Sequence, residues 1–318
     1  MRKALITGIN GQDGRYLRNF LIKKGYKVFG ICNNLSDTDK VSLENENVLV
    51  SIGDISNQEY MEKTILEVLP DELYNLAAQS SVSRSYENYI ESASINLLAV
   101  VQMLEIMRKN NIKCKFFQAS SSEIFGIPNQ KIANEDTEYN PCNPYGVSKL
   151  SAHLYVKNFR KWNNSFAVNG ILFAHESPMR PEKFVTRKIT KGIAEIVQGR
   201  RENILLGNID IRRDWGYAGD YVEAIWLMLQ QEEPDDYIIS SGEAHSIREF
   251  LEIAFNHVGL DWERYIIIDS DLYRPVEYEE LIGDNSKAKN KLKWSPKIKF
   301  EEVVKMMVYY DLNLLENN

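Results

Sequence analysis

Two rhythms of apolar residues alternate along the chain. Short, mostly apolar runs of the kind that form buried strands occur at Lys3-Ala4-Leu5-Ile6-Thr7, Tyr26 to Cys32, Val48 to Ile52, Glu72 to Leu76, Lys115 to Phe117, Phe166 to Phe173 and Asp236 to Ser240. Between them, apolar residues fall at helical spacing: about Arg15 to Lys24, a segment ending at Leu69 before Pro70, Asn96 to Lys109, and about Tyr145 to Trp162. Regular strand–helix alternation predicts an α/β fold with a doubly wound parallel sheet. Beyond residue 170 the character changes. Arginines accumulate at 180, 187, 200, 201, 212, 213 and 274, with Trp215 and a Tyr273-Arg274-Pro275 turn. The expected division is a dinucleotide-binding domain over 1–170, to which 215–243 returns, and a smaller α/β lobe over 171–214 and 244–318. That lobe would grip an anionic substrate through arginine.

Bulk properties narrow the function classes. A chain of 318 residues can bury more than one core. The net charge of −7 argues against nucleic acid as a partner. No apolar run is expected to reach the length of a membrane span, and the first residues lead into a strand, not a signal peptide. Cys32, Cys114 and Cys142 lack metal spacing and read as reduced thiols in a cytoplasmic protein. His153, His175, His245 and His257 make no zinc pattern, so no metal is expected.

Candidate chemistry begins directly after the first strand. Gly8, Gly11 and Gly14 permit a tight turn, close approach of backbone to a pyrophosphate, and close helix packing. The following helix would aim its N-terminal amides at that phosphate. At the end of the second strand, an acid normally holds a ribose hydroxyl and an arginine a 2′-phosphate. Asn33-Asn34 stand there and cannot neutralise a phosphate, which favours NAD over NADP. Asp54 has two readings, a carboxylate on the adenine amino group or a helix N-cap near Ser56. The stretch from Gln118 to Lys149 carries the reactive groups. Ser121, Ser122 and Glu123 follow a strand, while Tyr145 and Lys149 stack one helical turn apart. An ammonium beside a phenol favours the phenolate and suits Tyr145 to proton transfer.

With these residues assembled, the chain resembles the extended short-chain dehydrogenase/reductases, and among them the GDP-mannose 4,6-dehydratase family. The resemblance rests on Thr7-Gly8-Ile9-Asn10-Gly11-Gln12-Asp13-Gly14, Tyr74-Asn75-Leu76-Ala77-Ala78-Gln79-Ser80 and Asn143-Pro144-Tyr145-Gly146-Val147-Ser148-Lys149. It continues through His175-Glu176-Ser177-Pro178, Phe184-Val185-Thr186-Arg187-Lys188-Ile189, Arg213-Asp214-Trp215-Gly216 and Arg274-Pro275. It implies a tightly bound, recycled NAD or NADP along Gly8, Asn10, Gly11, Gln12, Asp13, Gly14, Asn33, Asp54, Ile55, Leu76, Ala77 and Ala78, reaching Tyr145 and Lys149. It implies a GDP-linked sugar held by Ser85, Ser122, Ala174, Val185, Lys188, Arg213, Arg274 and Glu277. Ser121, Glu123, Tyr145 and Lys149 would oxidise C4, expel water across C5–C6 and allow hydride to return to C6.

The chain also departs from the family pattern. Asn33-Asn34 replace paired arginines in a loop that helps join family members into tetramers, so a homodimer is expected with a tetramer as the alternative. Ala174 and Met179-Arg180-Pro181 depart near the sugar, which leaves GDP-N-acetylglucosamine or a GDP-heptose beside GDP-mannose. His175 is expected to anchor structure, and Arg187 taken alone reads as a surface charge. Two other classes stay open: a C4 oxidase or epimerase on the same scaffold, and a non-enzymatic dinucleotide-binding regulator.

Overall fold

A computed structural model describes residues 1–36, 43, 48–127, 129–273, 276 and 278–316. Arg274 and Glu277, two of the expected substrate contacts, lie outside the described residues. The chain opens with β1 (Lys3–Thr7), α1 (Gln12–Lys23), β2 (Lys27–Cys32), β3 (Leu49–Ile52), α2 (Gln58–Val68) and β4 (Glu72–Asn75). It continues through α3 (Val82–Glu87), α4 (Tyr89–Ala93), a π-helical turn at Ser94–Leu98, α5 (Ala99–Lys109), β5 (Lys115–Ser121), β6 (Ile132–Ala133), α6 (Pro144–Asn163) and β7 (Ala167–Leu172). The second half holds β8 (Ala174–Glu176), α7 (Val185–Val197), β9 (Ile204–Leu206), β10 (Arg212–Tyr217), α8 (Ala218–Leu229) and β11 (Tyr237–Ile239). The last elements are β12 (Ala244–Ser246), α9 (Ile247–His257), β13 (Ile266–Ile268), β14 (Ile282–Gly283) and α10 (Phe300–Glu316).

Seven strands form one parallel sheet in the order β11-β7-β5-β4-β1-β2-β3. The chain winds outward from β1 to β3, then starts again at β4 and winds the other way. Loops leaving β1 and β4 therefore part to opposite faces and open a crevice between them. Leu17 and Leu21 of α1 and Ile225 and Met228 of α8 cover one face. Met61 of α2, Met103 of α5 and Val156 of α6 cover the other. With both faces covered, the strands carry nearly continuous apolar runs in place of an alternation.

A separate apolar cluster joins Ile189 and Ile193 of α7, Ile204, Phe250 and Phe255 of α9, and Val304 and Val308 of α10. A three-stranded sheet, β12-β10-β8, meets this cluster through Ala174 and Trp215, with β8 following directly on β7.

Two elements differ from the sequence reading. β5 runs on past Phe117 to Ser121, because Gln118, Ala119 and Ser120 keep pairing with β7. The helix expected from Asn96 is continuous from Tyr89 to Lys109, a stretch of 21 residues. By length and composition alone it is long and apolar enough to cross a membrane, which the sequence reading did not anticipate. Its Val100, Met103, Leu104 and Met107 are packed into the interior against the sheet, as in a core helix.

Candidate active site

The crevice is built where β1 and β4 end. The Thr7 hydroxyl donates to Asn75 Oδ1 at 2.6 Å and accepts from the Leu76 and Ala77 amides at 3.2 and 3.1 Å. Asn75 Nδ2 in turn donates to Gln118 Oε1 on β5 at 2.8 Å. A polar chain thus ties three strand ends together beneath the cleft. Gly8 then turns the backbone at φ +71°, where a side chain would be strained, and an added Cβ would lie 3.0 Å from the Ala77 backbone. Between this turn, the end of β2 and the loop after β4 lies a cavity of about 300 Å³. Gly8, Asn10, Gly11, Gln12, Asp13, Gly14, Asn33, Asp54, Ile55, Leu76, Ala77 and Ala78 all line it. Bare glycine backbone at the N-terminus of α1, with free space before it, fits the pyrophosphate of a dinucleotide.

Several of these side chains are engaged by the protein itself. Asp54 Oδ1 accepts from the Ser56 amide at 2.8 Å, while Asn57 caps α2 by accepting from Tyr60. The expected cap thus falls one residue beyond Ser56, and the Asp54 carboxylate closes the turn before it. Asp13 pairs with His175 Nε2 at 2.9 Å. Burial opposes charge on both, yet their mutual attraction prevails, holding the carboxyl low and the imidazole high. Gln12 donates to the His175 carbonyl at 3.0 Å and accepts from Ser177 at 2.8 Å. The start of α1 is in this way bolted to β8 and the turn after it.

A second cavity, of about 440 Å³, continues from the first. Asp13, Leu76, Ala78, Ser80, Arg180 and Phe184 border both. Ser121, Ser122, Glu123, Tyr145 and Lys149 line it from the sheet side, and Ala174, Val185, Lys188 and Arg213 from the opposite side.

The sheet-side groups owe their positions to two helix starts. Asn143 caps α6, its Oδ1 accepting from the Gly146 amide at 2.8 Å, and Pro144 occupies the first turn. An added Cβ on Gly146 would lie 2.6 Å from the Glu123 carbonyl oxygen, so only glycine lets α6 approach the 3₁₀ turn Ser122–Ile124 this closely. Asn143 Nδ2 also donates to Glu123 Oε2 at 2.7 Å, and the Tyr278 phenol donates to Oε1 at 3.2 Å. One amide side chain therefore starts the helix bearing Tyr145 and holds the carboxylate opposite it.

Tyr145 and Lys149 are both buried. Lys149 Nζ donates to the Ala119 carbonyl at 2.8 Å and lies 5.8 Å from the centre of the Tyr145 ring. Burial pushes the ammonium down to about 8, with Asp13 acting against it. Burial likewise pushes the phenol up to about 12; a hydrogen bond with Ser121 opposes this and Glu123 reinforces it. The expectation of a phenolate favoured by its lysine is therefore corrected for the chain alone. The ammonium is directed at a backbone carbonyl, and desolvation outweighs it.

Other expectations meet different fates. Ser85 does not border either cavity. It is fully buried, donates to the Val82 carbonyl at 2.6 Å and accepts from the Tyr145 amide at 3.2 Å, so it supports the start of α6 instead of facing a ligand. Arg187 is not a surface charge, because its guanidinium is buried against Asp311 at 2.6 Å. Arg213 lies 4.0 Å above the Tyr278 ring and donates to the Arg212 and Tyr278 carbonyls. Lys188 has its ammonium lowered, by burial first and by Arg201 second.

Three residues at the cleft were missed. Arg180 borders both cavities, pairs with Glu176 at 3.2 Å and stacks on Phe184 at 3.7 Å. The sequence reading places it near the sugar, within Met179-Arg180-Pro181, but gives it no contact of its own. Asn143 carried a readable signal, a capping residue directly before a proline. Tyr278 is 155 positions from Glu123 and had no local signal.

The profile of the GDP-mannose 4,6 dehydratase family matches residues 5–307. GDP-mannose 4,6 dehydratase 1 of Arabidopsis thaliana is 45% identical over 98% of this chain and 90% of its own length. The human GDP-mannose 4,6 dehydratase is 42% identical over 99% of this chain and 92% of its own. Among solved structures, a UDP-glucose 4-epimerase from Thermotoga maritima, with UDP-glucose, superposes with a TM-score of 0.87 at 26% identity, covering 98% of this chain and 99% of that one. A dTDP-glucose 4,6-dehydratase from Bacillus anthracis, in complex with NAD, shares the fold with a TM-score of 0.85 at 20% identity over 99% and 98% of the two chains. A profile match over nearly the whole length and two relatives above 40% identity carry the conclusion: the chain belongs to the GDP-mannose 4,6-dehydratase family.

Proposed function

We propose that the protein converts GDP-mannose to GDP-4-keto-6-deoxymannose by 4,6-dehydration. One observation carries the reading: Glu123, Tyr145 and Lys149 border a single cavity that continues into the glycine-turn cavity. A nicotinamide dinucleotide held along Gly8, Gly11, Gly14 and Ala77 would supply a hydride acceptor for C4 and a donor for C6. Tyr145 takes the proton of the 4-hydroxyl, Ser121 holds the 4-oxygen, and Lys149 keeps a positive charge near the phenol. The C4 ketone acidifies the hydrogen on C5. Glu123 removes that proton and returns it to the C6 oxygen, which departs as water while a C5–C6 double bond forms. Reduction at C6 then requires one proton at C5, which balances the one Tyr145 received. A carboxylate that serves first as base and then as acid needs a site shielded from water; Glu123 is half-buried, with its two oxygens held by Asn143 and Tyr278.

For the cofactor, the reading favours NAD. Asn33 borders the smaller cavity at the end of β2 and carries no charge to neutralise a 2′-phosphate. GDP would be held through Lys188, Arg213, Arg180 and Arg274. The lobes divide as 1–170 with 215–243, and 171–214 with 244–318; the separate core of α7, α9 and α10 supports that division. A homodimer would form through Ile90, Leu98, Val147, Leu154 and Trp162, which are exposed on neighbouring helices. Free Cys32, Cys114 and Cys142 suit a cytoplasmic setting.

The test is mass spectrometry of the protein incubated with GDP-mannose. Loss of one water is expected. A product of unchanged mass indicates epimerisation, and loss of two hydrogens indicates simple oxidation; either sinks the reading. Glu123→Gln is expected to abolish water loss, and full dehydration by that variant removes Glu123 from its role.

A further inference from the structure

Glu123 is held from two directions, one near it in the chain and one remote. Asn143, beside the helix that carries Tyr145, fixes Oε2. The grip on Oε1 comes from Tyr278, in the segment between β13 and β14, far along the chain. Tyr278 is 7% exposed and packs among Ile124, Phe125, Phe173 and Leu281, so its ring is set firmly. Its other face carries the Arg213 guanidinium at 4.0 Å, and its carbonyl accepts from Arg213 Nη1 at 3.0 Å. Arg213 itself borders the larger cavity. A continuous path therefore runs from a cationic group on the cavity wall, through an aromatic ring, to the carboxylate.

We propose that Tyr278 is a positioning residue for Glu123, one that sets the carboxylate for water elimination and couples its setting to the seating of Arg213. This rests on the dehydratase reading. A glutamate side chain has several rotatable bonds, and elimination asks one carboxylate to reach the hydrogen on C5 and the oxygen on C6 in turn. That demands a narrower range of orientation than a single proton transfer. Donors on both oxygens supply it. Oxidation at C4 depends on Tyr145, whose backbone is fixed by Ser85 and Ser148. Loss of the Tyr278 hydroxyl should therefore impair the second half of the reaction and spare the first.

The test compares wild type, Tyr278→Phe and Tyr278→Leu as cofactor-loaded enzymes with GDP-mannose. For Tyr278→Phe the expected fall in kcat for water loss is about tenfold to a hundredfold, the value of one hydrogen bond to a charged group. KM stays within about twofold, since the ring still supports Arg213. Quenched mixtures accumulate the sugar nucleotide lighter by two hydrogens, and deuterium uptake at C5 from heavy water slows in step. Tyr278→Leu shows the same elimination defect and a raised KM, because the ring beneath Arg213 is gone; it also replaces the first variant should that one not fold. Elimination at the wild-type rate in both variants overturns the proposal, as does an equal slowing of oxidation and elimination. A wild-type enzyme that releases no water overturns the dehydratase reading, and the proposal falls with it; dehydration by wild type beside an unimpaired Phe variant overturns the proposal alone.

Discussion

His153 is a fully buried imidazole whose ring nitrogens meet Tyr139 Oη and Ser120 Oγ, each at 3.2 Å. Burial pushes it down to about 4; Asp236 opposes this, while Lys157 and Arg160 add to it. An unfolded histidine takes a proton near pH 6.5, whereas the folded one resists until about 4. The stabilisation is therefore complete above 6.5 and is lost as pH falls toward 4, about 3 kcal/mol at 2.303RT per pH unit. Asp214 works in the opposite sense. Burial raises its carboxyl from 3.8 to about 6 despite hydrogen bonds from Ser241, Gly242 and Gly283. Between those values the folded form holds the extra proton, so stability falls as pH rises through them. Denaturant titrations at several pH values separate the two: His153→Asn should lose about 3 kcal/mol less than wild type on going from pH 6.5 to 4. Equal losses in both proteins would show that His153 is not the group responsible. The sequence placed His153 on α6 and said nothing of this, because its partners come from elsewhere in the chain.

Elements were legible where chemistry is local and obscure where partners are distant. The glycine turn, α1 and the Asn143-Pro144 start of α6 each carry their own signal within a few residues. The continuation of β5 through Ser121 does not, since serines in a strand are sustained by pairing with β7. The π turn at Ser94–Leu98 likewise has no marker in its sequence. Arg187 illustrates the same limit. Isolated arginines are usually exposed, but this one meets Asp311, 124 positions away, and Thr190 donates to the same carboxylate at 2.7 Å. The pair fastens α7 to α10, and α7 carries Val185 and Lys188 to the cavity. Asp311→Ala leaves a buried guanidinium without its counter-charge and should destabilise the fold by about 3–5 kcal/mol, measurable by urea unfolding. A loss below about 1 kcal/mol would mean that water reaches and screens the site.

At the level of the whole molecule, the alternation of strands and helices foretold the parallel sheet, and the glycine turn foretold where its crevice would open. Which residues meet across that crevice was less readable. The wall opposite the sheet is assembled from β8, α7 and β10, which share no sequence pattern with the glycine turn. The outer surface carries its own consequence. Leu98 and Leu154 are 51% and 39% exposed on adjoining helices, and an apolar strip of this kind seeks cover. Leu98→Asp with Leu154→Asp should convert the proposed homodimer to monomers in light scattering; an unchanged mass would overturn that contact.

The two cavities share Asp13, Leu76, Ala78, Ser80, Arg180 and Phe184 as common walls. Occupants of such adjoining rooms touch the same side chains, so a molecule seated in one is felt in the other. An enzyme that hands a hydride out and takes it back within one turnover needs that nearness, because lender and borrower stay side by side between the two transfers.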